Sequence, residues 1–250
     1  MRDQSNVIIG RQPLIEAFKS DITVERVFIQ KGLNGGIINS IIIKAKQRNI
    51  NPEFVEKDRL EEISDGANHQ GVAAFISAYK YYEVEDMLEL AENRNEPPFL
   101  ILLDGIEDPQ NLGAIIRSAN LFGAHGVIIE KRGSATLTTS CAKASAGAIS
   151  HTYVARVTNL KNTIIALKEK GLWFVYADAK GDSMYKTNLT GAIGLVIGNE
   201  AKGVSRLVRE NCDFSAAIPM APISGGVDSF NASVAMGILG AEIIRQRGNK

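Results

Sequence analysis

The sequence has 250 residues, of which 45% are hydrophobic and 22% charged, and its 28 basic side chains balance its 28 acidic ones. This composition is ordinary for a globular protein and excludes the collagenous, intrinsically disordered and disulfide-scaffold classes. No apolar run approaches the ~18 residues of a membrane span, and the polar N-terminus lacks a secretion signal. We therefore expect a cytoplasmic protein without membrane contact.

Charge divides the chain into two domains. Residues 79–98 carry six acidic and two basic side chains and end in Pro97-Pro98, which predicts a solvated, acidic linker with one helix over 84–91. The linker separates a first domain, residues 1–78, from a second domain, residues 99–250.

The first domain alternates short apolar runs with helical patterns, which predicts a small α/β unit. Its predicted strands are 7–9, 27–29 and 72–76, and its predicted helices are 13–19, 37–48 and 58–63.

The second domain repeats this alternation with more apolar strands. Such strands, joined by helices, predict a parallel sheet buried on both faces, with ligands bound beyond the carboxyl ends of its strands. The predicted strands are 99–103, 126–129, 172–177, 193–197 and 214–218, and the predicted helices are 111–122, 138–144, 160–170, 205–211 and 231–247.

Several common catalytic motifs are missing from the sequence. It contains no Gly-x-Gly, no Gly-Lys, no Gly-x-Ser-x-Gly and no His-Glu-x-x-His, which disfavours familiar dinucleotide, P-loop, hydrolase and metalloprotease chemistry. The three histidines are scattered, and the two cysteines, Cys141 and Cys212, are expected to be reduced. We therefore predict no metal site.

Three polar loops follow strands of the second domain. Asn111 and Arg117 come after the first strand, residues 198–203 read Gly-Asn-Glu-Ala-Lys-Gly after the fourth, and Ser229 and Asn231 precede the last helix. Taken singly, each loop is also explained by helix capping and turn formation. Together, at one edge of a parallel sheet, they indicate a ligand site.

These loops resemble, in order, the three motifs of the SpoU (TrmH) family of S-adenosylmethionine-dependent RNA 2′-O-ribose methyltransferases. The third motif combines Ile218-Pro219-Met220 with residues 229–235, Ser-Phe-Asn-Ala-Ser-Val-Ala. The first domain also resembles the family's substrate-binding domain, which is similar to ribosomal protein L30e, through residues 10–17 and 69–73. This two-domain form is most similar to family members that methylate a guanosine of 23S ribosomal RNA.

The resemblance implies a fold and a partner. The fold is an α/β parallel-sheet domain with a deep trefoil knot of the SPOUT type, preceded by the small α/β L30e-like domain. Sequence periodicity alone would favour an unknotted sheet, because knots are nearly absent among folds. The resemblance further implies a homodimer whose active site draws on both subunits.

The resemblance also assigns roles to residues. Arg117 becomes the candidate for removing the proton of the ribose 2′-hydroxyl; since an arginine pKa lies above ~12, it could instead orient the 3′-phosphate and stabilise the developing alkoxide. Glu200 is expected to orient Arg117 through a charge-assisted bond. The further catalytic candidates are Asn111, Ser229 and Asn231, and those expected to contact S-adenosylmethionine are Gly198, Asn199, Ile218, Met220, Phe230 and Asn231.

Two departures from the family pattern concern the third motif. Residues 221–226 lengthen it, and Phe230 stands where leucine is usual, so that apolar contact is kept while the shape changes.

RNA contact must come from local charge, because the net charge is zero. The candidate residues are Arg11, Lys131, Arg132, Lys202 and Arg206, each of which is also explained as a solvated surface side chain. The sequence leaves four functions open: methylation of ribosomal RNA, the same reaction on tRNA, an antibiotic-resistance methylase, and a non-catalytic RNA-binding protein of the same fold. The presence of Asn111, Arg117, Glu200 and Asn231 together argues against the last.

Overall fold

The structure is a computed structural model that describes residues 6–20, 22–77, 79–221 and 229–248. The chain forms two compact units, one of residues 1–80 with 137–139 and one of residues 81–136 with 140–250. The lengthened segment of the third motif, apart from Ala221, lies outside the described residues, and the knot stays a prediction.

The first unit is a four-stranded sheet between helices. Its strand order is β1-β4-β2-β3, in which β4 pairs antiparallel with β1 and β2, and β3 pairs parallel with β2. The elements are β1 (Val7–Ile9), α1 (Arg11–Ala17), β2 (Val24–Gln30), α2 (Gly36–Gln47), β3 (Glu53–Val55), α3 (Lys57–Ser64) and β4 (Val72–Ile76).

Alternation along β2 places cores on both faces of this sheet. Val27 and Ile29 pack with the buried side chains of α1 and α2, whereas Phe28 packs with Leu60 and Ile63 of α3. Successive strand residues point to opposite faces, so one strand serves both cores. The predicted α/β unit is confirmed, but β3 was not predicted, because its apolar run, Phe54-Val55, is too short to indicate a strand.

The second unit is a six-stranded, fully parallel sheet in the order β10-β8-β9-β5-β6-β7. Its described elements are α4 (Val84–Asn93), β5 (Phe99–Asp104), α5 (Pro109–Leu121), β6 (Gly126–Glu130), α6 (Thr139–Ser145), a 3-10 turn (Ala148–Ser150), β7 (Val154–Val157), α7 (Leu160–Glu169), β8 (Trp173–Ala177), β9 (Ile193–Gly198), α8 (Arg206–Arg209), β10 (Phe214–Ala216) and α9 (Ala232–Gly248). Residues 99–103 of β5 are fully buried, as expected for a strand covered on both faces. The predicted parallel α/β sheet is therefore confirmed.

The acidic segment that was predicted as a linker contains a packed helix. Residues 81–98 belong to the second unit, and α4 buries Met87 and Ala91 completely. A Cβ on Gly126 of β6 would stand 2.2 Å from Met87 Sδ, so the glycine makes room for the methionine. The acidic side chains cover the outer face of an amphipathic helix, which explains why the charge run looked solvated.

Candidate active site

Strand order brings two of the three polar loops together. β5 and β9 are neighbours, and Asp104 pairs with Gly198 at the ends of the two strands. Because both strands run in the same direction, the loops that follow them start side by side at the carboxyl edge of the sheet. Asp108 caps α5 by accepting a hydrogen bond from the Gln110 backbone N–H at 2.9 Å.

A chain of side-chain hydrogen bonds connects all three loops. Asn111 Nδ2 donates to Glu200 Oε1 at 2.6 Å, and Asn231 Nδ2 donates to Asn111 Oδ1 at 3.0 Å. Asn231 Oδ1 accepts from the backbone N–H and the hydroxyl of Ser233, at 2.9 and 2.6 Å, at the start of α9. Capping of α9 thus fixes Asn231, which in turn orients the Asn111 amide toward the Glu200 carboxylate.

Asn199 ties the two adjacent loops together. Its Nδ2 donates to the Gly105 carbonyl at 3.0 Å, and its Oδ1 accepts from the backbone N–H groups of Ala201 and Lys202 at 3.0 and 3.2 Å. Its backbone carbonyl accepts from Gly203 N–H at 2.7 Å. The sequence predicted that Asn199 contacts a cofactor. In the structure, its side-chain hydrogen bonds hold the two loops in place.

A cavity of about 450 Å³ opens beside this cluster. Seven of the predicted site residues line it, together with Lys202 from the predicted RNA contacts: Gly198, Asn199, Glu200, Ile218, Met220, Ser229 and Phe230. Met220 and Phe230 are 42% and 39% exposed, so two large apolar side chains face open space at its wall. The cavity therefore combines backbone polar groups, apolar surface and charged side chains of both signs, including the Glu200 carboxylate.

Arg117 lies outside this cavity lining. It is an exposed residue of α5, six positions after Asn111, which corresponds to about 9 Å along a helix. The expected bond between Glu200 and Arg117 is absent within the described part of one chain, where the Glu200 carboxylate takes the Asn111 amide instead. A single chain therefore joins Asn111, Glu200 and Asn231 without the guanidinium.

The predicted RNA-contact residues are scattered. Arg11, in the first unit, donates its Nε hydrogen to the Gln70 carbonyl at 2.9 Å, a bond that secures a turn. Arg206 pairs with Glu210 at 2.9 Å on the exposed face of α8, while Lys131 and Arg132 are exposed after β6.

Sequence reasoning missed two charged residues of the cavity wall. Asp178 and Lys180 line it, although both follow β8, a strand that had been predicted; Arg209, which the sequence offered as a candidate for RNA contact, lines it as well. The available signal for Asp178 and Lys180 was their position directly beyond the carboxyl end of a parallel strand.

The described residues contain no group of three or more His, Cys, Asp or Glu side chains suited to a metal ion. No helix of this part of the chain is long and apolar enough to cross a membrane.

Comparison with known proteins identifies both parts of the chain. The model of the SpoU rRNA methylase family matches residues 98–241, and that of the RNA 2′-O ribose methyltransferase substrate-binding family matches residues 7–82. A Bacillus subtilis (strain 168) protein assigned to the TrmH family of tRNA/rRNA methyltransferases is 44% identical over 99% of this chain and 98% of its own length. A Staphylococcus saprophyticus protein assigned to the same family is 43% identical over 96% of both chains.

Solved structures share the fold at lower identity. The SpoU methyltransferase AviRb of Streptomyces viridochromogenes, crystallised with the cofactor AdoMet, superposes with a TM-score of 0.60 at 23% identity and covers 98% of this chain and 91% of its own. An AdoMet-bound rRNA methyltransferase of Sinorhizobium meliloti gives 0.56 at 23% identity, covering 96% of this chain and 87% of its own. With a family model that spans more than half of its length, the chain belongs to the SpoU (TrmH) family of RNA methyltransferases.

Proposed function

We propose that this protein transfers a methyl group from S-adenosylmethionine to a ribose 2′-hydroxyl of ribosomal RNA. The observation that carries the proposal is the hydrogen-bond chain from Asn231 through Asn111 to Glu200 at the edge of the cavity. Helix capping explains Asn231, but it does not require a carboxylate and an amide from two other loops to meet there.

The cavity fits S-adenosylmethionine by size and chemistry. Its volume of about 450 Å³ lies within the range of ~300–1,000 Å³ that small-molecule sites occupy. Met220 and Phe230 offer apolar contact for an adenine ring, and the turns around Gly198 and Gly203 allow close backbone approach. When bound, this cofactor supplies an electrophilic methyl group.

The residues of the site would hold the ribose and its proton. The Glu200 carboxylate carries a negative charge next to the cavity, which complements a sulfonium cation and fixes Asn111. Asn111 and Ser229 would position the ribose, and positioning at near-attack distance can contribute ~7–11 kcal/mol. Arg117 would orient the 3′-phosphate and stabilise the alkoxide as the 2′-oxygen passes its proton to that phosphate or to water, because a guanidinium group has no acceptor site for the proton.

A homodimer would bring Arg117 to the site. On α5, Arg117 and Leu121 share one face, and Leu121 is 75% exposed. The neighbouring helix α9 exposes Val234 and Ile244, at 46% and 38%. An apolar helix surface of this kind is typical of a subunit interface, and it supports a partner chain whose Arg117 faces the cavity.

The RNA class is the finer part of the proposal. The substrate-binding family match at residues 7–82 and the tRNA/rRNA methyltransferase relatives support an RNA substrate. We propose a guanosine of 23S ribosomal RNA, based on the two-domain form, with tRNA as the alternative that the same experiment decides.

The test offers methyl-labelled S-adenosylmethionine and the purified protein to separated 23S, 16S and transfer RNAs from cells that lack the gene. We expect label in 23S RNA, in a dinucleotide that resists alkali because its 2′-oxygen is methylated. Label in tRNA only would redirect the substrate assignment, and alkali-labile label would contradict ribose methylation.

Arg117→Ala is the matched variant for this test. It should reduce transfer at least ~100-fold, the scale of losing a charge-stabilising donor, while the dissociation constant of S-adenosylmethionine stays within about twofold because Arg117 does not line the cavity. Transfer near the wild-type rate would overturn the assignment of Arg117.

A further inference from the structure

A second cavity lies beside the first and has no role in the proposed methyl transfer. It has a volume of about 520 Å³ and shares Arg209 with the first cavity. Its walls come from β8, β10, the end of α8 and the segment 182–188. The two cavities therefore adjoin within the second unit.

Aromatic and cationic side chains line the second cavity. Phe214 of β10 and Tyr176 of β8 border the cavity from opposite faces of the sheet, because Phe214 pairs with Val175 and Tyr176 with Ser215, and Lys186 and Arg209 contribute positive charge. Phe214 is 39% exposed and stacks on Trp173, with ring centroids 5.7 Å apart. Rings combined with cations are the features by which proteins bind unpaired nucleotides, through stacking and phosphate contact.

The balance of charge favours an anion. Within the described residues, neither Lys186 nor Arg209 has an ion-pair partner. Asp213, in contrast, already has partners: its carboxylate accepts hydrogen bonds from Lys168 Nζ at 2.6 Å and from the Phe174 backbone N–H at 2.8 Å. Because Lys168, which lies outside the lining, neutralises Asp213, the two cations of the lining outnumber its one remaining acid, Asp182.

The thiol of Cys212, which lines this cavity, is expected to be unreactive. Burial raises the pKa of Cys212 to about 12, so the thiol stays neutral at physiological pH and adds no charge and no nucleophile. Its hydrogen bond to the Val208 carbonyl, 3.4 Å long, occupies the proton. The cavity is therefore suited to binding rather than to covalent chemistry.

The wall formed by the segment 182–188 is held in place before any ligand binds. Met184 N–H donates to the Ala217 carbonyl at 2.9 Å, and Ala217 N–H donates to the Asp182 carbonyl at 2.6 Å. From α9, Gln246 Nε2 donates to the Thr187 carbonyl at 3.2 Å. A preformed wall lowers the entropy cost of binding.

We propose that the second cavity is a nucleotide subsite, which binds a nucleotide of the same RNA strand that presents its ribose to the first cavity. The phosphate would lie between Lys186 and Arg209, and the base would contact the exposed ring of Phe214. This inference deepens the proposed function and rests on it for the identity of the strand.

Two variants separate the charge contact from the stacking contact. In Lys186→Gln, one phosphate contact is lost, so the dissociation constant of a fluorescein-labelled single-stranded RNA of about 12 nucleotides should rise about fivefold and its salt slope should fall by about 0.7. In Phe214→Leu, the dissociation constant should also rise about fivefold, but the salt slope should not change, because no charge is removed.

Lys161→Gln, on α7, is the matched control, since Lys161 lines neither cavity. It should leave both the dissociation constant and the slope unchanged, and thermal unfolding of every variant should confirm an intact fold. If Lys186→Gln binds the RNA as tightly as the wild type, or if Lys161→Gln weakens binding equally, the proposal is overturned.

Crosslinking provides an independent readout. RNA that carries 4-thiouridine, irradiated with the full-length protein, should crosslink to peptides from β8 or β10, and the crosslink should weaken in Phe214→Leu. Crosslinks found only elsewhere would contradict the subsite. If guanosine monophosphate alone displaces the RNA at equal concentration, the cavity is a site for a free nucleotide and the proposal of a strand contact is wrong.

These experiments distinguish failure of the nucleotide subsite from failure of the proposed methyl transfer. Loss of methyl transfer from S-adenosylmethionine to every RNA tested would refute the proposed reaction, whereas the RNA-binding and crosslinking experiments need no cofactor. Conversely, if the protein methylates RNA but its affinity for RNA is unchanged in Lys186→Gln and Phe214→Leu, only the subsite is refuted.

Discussion

At the scale of single residues, the site depends on backbone geometry as much as on side chains. Gly198 ends β9 where the chain turns back to Gly203 and Val204, and Gly105 and Gly203 adopt φ of +72° and +66°. Residues with side chains rarely adopt such angles. The glycines therefore let Asn199 and Glu200 project from a turn whose backbone comes very close to itself.

Replacement of Gly198 tests this geometry. In Gly198→Ala, the new Cβ would stand 2.2 Å from Gly203 C and 2.3 Å from Val204 N, which are backbone atoms that cannot rotate away. We expect a stability loss of about 1–3 kcal/mol, as for overpacked sites, and at least about tenfold weaker S-adenosylmethionine binding as the turn is displaced.

Urea unfolding and calorimetric titration measure the two effects. Gly36→Ala, where the added Cβ meets no atom within 4 Å, serves as control and should change neither by much. Unchanged cofactor affinity in Gly198→Ala would show that the turn does not shape the cavity.

At the scale of elements, His125 joins the start of β5 to the segment before β6. Its Nδ1 accepts from the Phe99 N–H at 3.0 Å, and its Nε2 lies 3.1 Å from Glu96 Oε2. Burial lowers the pKa of His125, against the opposing effect of Glu96, while Arg94 and Arg247 lower it further. Protonation would also remove the acceptor that Phe99 uses.

A pH dependence follows from this lowered pKa. The unfolded chain takes up a proton at His125 near pH ~6.5, before the folded chain does, so this contribution to stability is present above that pH and is lost as the pH falls toward the lower folded pKa. The size of the loss increases with the difference between the folded and the unfolded pKa of His125.

His125→Asn provides the comparison, because its Oδ1 can replace the acceptor without titrating. We expect the difference in unfolding free energy, wild type minus variant, to shrink between about pH 8 and pH 5.5. A difference that stays constant over this range would contradict the prediction.

At the scale of the whole molecule, the exposed apolar residues of α5 and α9 predict self-association. A carboxylate buried in a subunit interface without a partner is strongly unfavourable. Leu121→Glu should therefore raise the dimer dissociation constant at least ~100-fold, measured by sedimentation, and reduce methyl transfer in parallel.

Ile165→Glu is the control for this prediction. Ile165 is 39% exposed on α7, away from α5 and α9 in the chain, so its replacement adds the same charge without touching the proposed interface. A monomeric wild-type protein with full activity would contradict a shared active site.

Prediction from sequence succeeded where local pattern determines structure. The apolar runs of β5 and β9 predicted buried parallel strands, because a strand covered on both faces must be apolar throughout. It failed for β3 and β7, which are short and carry exposed or half-buried residues. For α4 the helix itself was expected, but its packing into the second unit was not.

The sequence by itself determined the parallel-sheet class, the three loops with Asn111, Glu200 and Asn231, and the family that these motifs indicate. Only the tertiary structure decided that β9 lies beside β5, that Glu200 binds Asn111 rather than Arg117, and that a second cavity adjoins the first. The physical reason is the distance along the chain over which each effect acts. Periodicity and capping act within a few residues, whereas strand order and cavities result from packing between segments that are far apart in the chain.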